Sequence, residues 1–419
     1  MVSILSFLKR VLTYSFGLTR EDTSFLILLF ISLSLFLSGQ ILPQDDYWRH
    51  LASALGRDYS SLYFDSYVPK INLWIGYEKL LSLLGEKAYI LLQSFTLVCF
   101  SLAFYLGTRG APPNLRNACF LLLMVILQGR IATARPAVVL SGLFALLWVM
   151  ESRKLRLLLS FLFAPFYWLF FIYLIPLLLK ERLVFIPLLS GFVFWLFYGG
   201  EDYFQELLNI LRTSAQKTMP VSENAPLWNV FMSKSWFSFL PPLLIVHYYG
   251  FKAFLSLDRK SLLAGLFFSL SNQIRYFVDN VSFLLLLFVR FLKRDIPEVV
   301  VLLLFPLIFV SAPTTKDIRQ DLSFLENRKV IVADFNPINF ILAYRVKNIK
   351  LSPPMEIEWA NREVKEIIKD VKLRNTLSCE TLKKTTAEVL IEKDLKGTKP
   401  GCLRLVGLLG EYRVWEVLR

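Results

Sequence analysis

Only 2 histidines and 4 cysteines occur among the 419 residues, and charged residues make up just 19% of the chain. So little imidazole and thiol, with no CxxC spacing, argues against a metal centre built on those ligands. The polar C-terminal stretch has no Gly-rich phosphate loop, no Ser/His/Asp set and no metal-ligand cluster, so it carries no catalytic signature of its own. No basic helix or aromatic-basic sheet pattern stands out either, which excludes nucleic acid as a partner despite a net charge of +14. Internal repeats and low-complexity segments, common in secondary transporters built from repeated bundles, are also missing. Nor does a cleavable signal peptide open the chain: Ile4, Leu5, Phe7 and Leu8 with Lys9 and Arg10 form an amphipathic stretch without a small-residue cleavage site. Residues 1–22 read as a cytoplasmic interfacial helix.

What is abundant is apolar. With 55% hydrophobic residues and 37 Phe, the composition is that of a polytopic α-helical membrane protein. Apolar runs predict about eleven spans, at 24–42, 87–107, 117–131, 136–150, 155–166, 167–179, 183–199, 237–250, 260–274, 278–292 and 297–312. Several fall short of the ~20 residues that cross a bilayer at right angles, so they are tilted, paired as half-helices or bordered differently. Two domains follow: residues 1–315 form the transmembrane part with a first outer loop at 43–86, and residues 316–419 form a soluble module. The module holds 20 Lys+Arg against 15 Asp+Glu and the membrane part 27 against 18, so both are basic and suited to anionic lipid or phosphate-bearing lipids.

Cations set the orientation. With the N-terminus in the cytoplasm, Arg109, Arg116, Arg153, Lys154, Arg156, Lys180, Arg182, Lys252, Arg259, Lys260, Lys293 and Arg294 all fall in inner loops. The 43–86 loop and the C-terminal module then share the outer face, where the module can sit over the loop. Within it, strands are expected at 329–334, 348–351 and 387–392, helices at 337–344 and 358–371, and a hairpin over 403–417. Cys379 and Cys402 flank the third strand and either form a disulfide or remain thiols; Cys99 and Cys119 lie in apolar runs and read as packing residues.

The first outer loop opens with Pro43-Gln44-Asp45-Asp46-Tyr47-Trp48-Arg49-His50. Two adjacent carboxylates repel as ions, so beside a bilayer they suit a proton acceptor or an oxygen ligand for a divalent cation such as Mg or Mn; a solvated acidic turn is the plain alternative. Tyr47, Trp48, Tyr59, Tyr63, Phe64, Tyr67 and Trp74 alternate with polar residues, which suits helices lying flat on the membrane or aromatic contacts to a sugar or lipid. His50 stands four residues after Asp46, on the same helical face, as an acceptor or metal contact or as a structural histidine. Arg130, Arg135 and Arg275 lie at outer span ends and either bind an anion or snorkel; Arg275 also has a helical partner in Asp279. Tyr203–Arg212 of the 200–236 loop reads as a helix.

On Gln44-Asp45-Asp46-Tyr47-Trp48 after the first span, Arg135-Pro136 at the fourth, and a soluble module after the last, the chain resembles the GT-C class of integral-membrane glycosyltransferases. It is similar in layout to the protein mannosyltransferase and aminoarabinose transferase group, with Asp46 in place of the usual Glu and Ala137 where an acid often follows Arg-Pro. The resemblance implies a donor sugar on a polyprenyl phosphate and a lipid, glycan or protein acceptor at the outer face. Asp45 would take the acceptor proton, Asp46 would orient the acceptor or hold a cation, and Arg130, Arg135 or Arg275 would stabilise the departing phosphate. A transporter or non-catalytic binder of lipid-linked glycan, or a polysaccharide polymerase or ligase, would share the layout without needing turnover at Asp45.

Overall fold

A computed structural model describes residues 20–43, 46–57, 59–64, 71–215, 295–310, 312–313, 320–333, 338–352, 361–393, 395 and 400–419. The expected N-terminal interfacial helix, the spans at 237–250, 260–274 and 278–292, and Asp45, Tyr67, Arg275, Asp279 and His247 lie outside those residues. The described chain is mostly helical, with one small sheet near its C-terminus.

The helical part begins with α1 (Arg20–Leu37), then α2 (Tyr47–Ala54) and α3 (Ile75–Leu84) in the 43–86 segment. Long apolar helices α4 (Ala88–Gly107), α5 (Pro113–Ala132) and α6 (Pro136–Val149) follow, α5 and α6 each with proline in the first turn, where its missing N–H costs nothing. Their apolar residues run all round, and α5 and α6 are buried on nearly every face by their neighbours. Helices α4 and α6 run in the same direction and pack closely: a Cβ at Gly142 would stand 3.1 Å from the Thr96 carbonyl and 3.3 Å from Cys99. Helices α7 (Arg153–Ser160) and α8 (Phe171–Leu178) are short, and α9 (Phe185–Ala215) is long.

Three stretches among the described residues are long and apolar enough to cross a membrane, Ala88–Gly107, Pro113–Ala132 and Arg182–Leu208. Shorter apolar helices cover Asp22–Leu37, Pro136–Val149 and Glu298–Val310. The runs at 155–166 and 167–179 do not form two spans. The first divides into α7 and a single turn at Phe163–Phe166, and the second yields the eight-residue α8, about 12 Å long at 1.5 Å per residue. The run at 183–199 and the helix expected at 203–212 join into α9, which breaks at Gly200 with φ of 54°. Stacking of Trp195 on Tyr203, 5.1 Å between centroids, braces that break, and both polar ends are held, Trp195 Nε1 by Ala164 O and Tyr203 OH by Trp168 O. The last run, α10 (Glu298–Leu304) and α11 (Leu307–Val310), is divided at Pro306, whose ring removes a helix hydrogen bond.

The C-terminal domain is an α/β unit with sheet order β2-β1-β3-β5-β4. Strands β1 (Lys329–Val332), β2 (Lys350–Leu351) and β3 (Val389–Glu392) are parallel; β4 (Leu403–Leu409) and β5 (Tyr412–Val417) close the sheet as an antiparallel hairpin through Gly410. The near-continuous apolar β1 and β3 suit parallel strands covered on both faces. One face carries α12 (Ile338–Arg345) and the other α13 (Arg362–Lys369) and α14 (Cys379–Lys384). Cys379 at the start of α14 is joined to Cys402 beside β4 in a disulfide.

The 43–86 segment enters this domain. Tyr63 bridges Leu351 in parallel, Phe64 N–H donates to Leu351 O at 3.1 Å, and the two rings go to opposite faces of the sheet. Alternate side chains of an extended strand must do this. Arg57 Nη1 also donates to Ala343 O at 2.6 Å and Val346 O at 2.7 Å, carbonyls at the end of α12 that no helical N–H can reach.

Candidate functional site

The site is built around α2, whose residues Tyr47 to Ala52 are all buried. A helix with local polar character stays buried all round only when something covers each face. Helix α3 and the start of α4 cover one side, and α12 of the C-terminal domain covers the other, with Trp48 stacked on Tyr344 at 5.3 Å. The aromatics Tyr47, Trp48, Tyr63 and Phe64 therefore pack inside the protein instead of lying on a membrane surface. The side chain of Tyr59 is not described.

Asp46 begins α2. Its Oδ2 lies 3.1 Å from Arg49 Nη2 and 3.4 Å from Arg135 Nη2. The Arg49 side chain is 2% exposed, Arg135 11% and Asp46 20%, so Arg49 backs a cluster whose open edge is Asp46 and Arg135. Burial raises the Asp46 pKa, but Arg49, Arg135 and His50 together outweigh it and hold the carboxyl below the ordinary range. Asp46 is thus an ionised, weakly basic carboxylate. Tyr63, whose hydroxyl meets Arg49, is pushed up to about 12, first by burial and against the pull of Arg49.

Backbone ties fix both sides of this contact. Gln93 on α4 donates to Ile41 O at 3.1 Å and to Ala132 O at 2.8 Å, joining the chain after α1 to the end of α5. Trp48 Nε1 donates to Pro43 O at 2.6 Å, and Tyr47 OH to Glu86 O at 2.8 Å. Between α5 and α6, Ala134 takes a left-handed conformation with φ of 50°, a strain of roughly 1–2 kcal/mol for a residue with a Cβ. Tyr77 OH donates to its carbonyl, and Arg135 then turns to extended backbone, as the residue before a proline must. That turn aims Arg135 at Asp46.

A second network supports α2 from behind. Glu78, 3% exposed, meets His50 Nδ1 at 2.9 Å with one oxygen and accepts from Ser53 Oγ at 2.6 Å and Asn72 Nδ2 at 2.7 Å with the other. His50 sits edge-on to Trp74 and Tyr77, at 4.9 and 5.3 Å.

The structure brings Asp46 and Arg135 together, 89 residues apart in sequence as their numbers give. Arg130 is half-buried in the last turn of α5. His50, Tyr47 and Trp48 are 1%, 0% and 2% exposed. Each has a partner inside the protein, His50 in Glu78, Tyr47 in Glu86 O and Trp48 in Pro43 O, which is the structural alternative that the sequence offered for His50. A divalent cation also finds poor surroundings at Asp46, which two guanidinium groups already neutralise, and no group of three or more His, Cys, Asp or Glu is gathered for a metal among the described residues. Sequence reasoning missed Arg49 and Glu78. Arg49 was readable as the i+3 partner of Asp46 on a helix; Glu78 offered only the oddity of an acid among the apolar residues of α3.

What the arrangement can do follows from its charge. Arg49 and Arg135 bring two guanidinium groups to the Asp46 carboxylate, and a guanidinium is suited to forked hydrogen bonds with a phosphate. A scan of protein-family models and searches of curated proteins and of solved structures find no match to this chain.

Proposed function

We propose that this chain is a GT-C-like glycosyltransferase that moves a sugar from a polyprenyl-phosphate lipid to a lipid, glycan or protein acceptor at the outer face of a plasma membrane. The observation that carries the reading is the Asp46–Arg49–Arg135 cluster, held where the loop after α1 meets the turn before α6 and closed over by the C-terminal domain. Topology supports an N-terminus in the cytoplasm and a C-terminal domain outside it. At the end of the helices opposite the cluster, Arg116 lies 4.0 Å from Asp22, Arg153 pairs with Glu181 at 2.9 Å, and Lys180 donates to Trp148 O. Cations gathered away from the domain agree with a positive inner face.

In this reading the acceptor oxygen attacks the anomeric carbon, the bond from that carbon to the phosphate oxygen breaks, and Asp45 takes the acceptor proton. The polyprenyl phosphate leaves with an added negative charge, which Arg135 receives, with Arg130 and Arg275 as further candidates. Asp46 orients Arg135 and stays ionised. No step is routed through a metal.

The experiment is sugar transfer by the purified full chain in detergent, with polyprenyl-phosphate sugars as donors and extracted lipids as acceptors, beside Arg135→Ala. Transfer by the wild type and its loss in the variant, with folding retained, supports the reading. Equal transfer by both, or none with any donor, refutes it.

A further inference from the structure

Arg57 closes two helices at once. Its backbone N–H donates to Ala52 O at 3.0 Å and caps the end of α2, while its Nη1 donates to Ala343 O and Val346 O at the end of α12, where a cation also suits the negative end of the helix dipole. One half-buried side chain thus ties α2, seated on the helical bundle, to α12, carried by the C-terminal domain. The apolar clusters divide on either side of this tie. Two lie within the domain, one on each face of its sheet, and take in Leu62, Tyr63 and Phe64 of the outer loop. Another lies between α2, α3 and α12 and holds Trp48, Leu51, Tyr77, Phe340 and Ile341. The domain therefore keeps its own cores when α12 leaves α2, and residues 62–64 travel with it. The chain passes from one body to the other between Ala54 and Leu62, where Gly56 takes φ of 95° and nothing stands within 4 Å of the place of a Cβ. Glycine enters that conformation without strain, and the space around it leaves room to turn.

We propose that the C-terminal domain is a lid over the Asp46–Arg49–Arg135 cluster, with Arg57 as its latch and Gly56 beside its hinge. This rests on the phosphate-binding reading of that cluster and gives the module, which lacks a catalytic set of its own, a task at the site. The Arg49 and Arg135 side chains are 2% and 11% exposed, and the Phe340 ring of α12 stands over Arg49. A lipid phosphate reaches such enclosed guanidinium groups when α12 lifts. Lifting breaks the Arg57 bonds, the Trp48–Tyr344 stack and the apolar contact between α12 and α2. Water replaces the hydrogen bonds of a half-buried arginine at modest cost, so the latch is reversible.

The test is thiol labelling of the full chain in detergent by a water-soluble maleimide. Ile341→Cys puts a thiol in the buried contact between α12 and α2, and Val364→Cys puts one beneath α13, in the core of the opposite face of the sheet. The free cysteines Cys99 and Cys119 are buried, and the wild type supplies their background. Losing a charged donor to two carbonyls shifts an opening equilibrium about 10- to 30-fold. Adding Arg57→Met should quicken the labelling of Ile341→Cys by that factor and leave that of Val364→Cys unchanged, with Arg57→Lys, which keeps a donor, in between. Polyprenyl monophosphate should associate with Arg57→Met faster than with the wild type by about the same factor. Equal labelling of Ile341→Cys with and without Arg57→Met overturns the latch. Labelling quickened alike at both positions overturns the lid, because the domain then unfolds instead of lifting. Quicker labelling at Ile341→Cys with an unchanged association rate overturns the gating of the site. Should either cysteine variant not fold, Leu51→Cys on α2 or Leu382→Cys beneath α14 takes its place. No binding of polyprenyl monophosphate by the wild type overturns the phosphate reading, while the labelling still decides the lid.

Discussion

Replacing Asp46 by Asn removes the one negative charge that Arg49 and Arg135 share. At separations of 3.1 and 3.4 Å the gross attraction is about 5 kcal/mol per pair at an effective dielectric near 20. Most of that is offset by the cost of taking the ions out of water, and stripping one partner from a buried pair typically costs ~3–5 kcal/mol. Here the loss is smaller. Asp46 is 20% exposed, Asn keeps a carbonyl oxygen for one hydrogen bond, and Arg49 keeps Trp74 and Phe340 beside it, so we expect ~2 kcal/mol. The mechanism is charge left uncompensated on the 2% exposed Arg49 side chain. Removing that charge as well should therefore recover part of the loss. Unfolding of the wild type, Asp46→Asn, Arg49→Met and the double variant in detergent forms a complete cycle, with the double variant expected to lose ~1–2 kcal/mol less than the two single losses together. Strictly additive losses, or an Asp46→Asn variant as stable as the wild type, would refute the reasoning.

Gly76→Ala should destabilise the site from below by ~1–3 kcal/mol, because the new Cβ would stand 2.6 Å from the Pro165 carbonyl oxygen and push α3, with Glu78, off its seat; equal unfolding temperatures would contradict this. Arg57→Ala strips two carbonyls at the end of α12 of a charged donor, and amide exchange in α12 should quicken by a factor equivalent to ~2 kcal/mol; unchanged exchange rates would show that the latch does not hold the domain. Reducing the Cys379–Cys402 bond, which closes a separation of 23 residues, should lower the stability of the C-terminal domain by about 3 kcal/mol in the chain-entropy account. A reductant-insensitive unfolding curve would refute that. Because the Asp46 pKa is lowered in the fold, its contribution is present above the ordinary carboxylate value of 3.8 and is lost as pH falls through the lower folded value. Stability should therefore show no Asp46 step between about pH 5 and 8, and a step there abolished by Asp46→Asn would contradict the ion pairing.

Much of the C-terminal domain was legible in the sequence, because its strands are short apolar runs set off by turns: 329–334, 348–351 and 387–392 shrink only at their ends to β1, β2 and β3. The long apolar helices α4, α5 and α6 were legible for the same reason, since a run of that length needs no partner to be recognised. The short ones were not. Residues 155–179 are largely apolar, and apolarity alone does not reveal that they divide into α7, the turn at Phe163–Phe166 and α8. At the site, Asp46 and Arg135 were each visible as chemistry out of place, whereas their meeting depends on Gln93 and Tyr77 tying distant backbone together. The aromatics of 47–64 misled because local pattern cannot report what covers a helix; α12, almost three hundred residues later, makes α2 a buried element.

The account's central claim is that the cluster holds a lipid phosphate while Asp45 performs the proton transfer. Donor binding and turnover measured side by side on Asp45→Asn, with a labelled polyprenyl-phosphate sugar, test it most directly. The account predicts a variant that binds donor as the wild type does and transfers no sugar; transfer at the wild-type rate would contradict it.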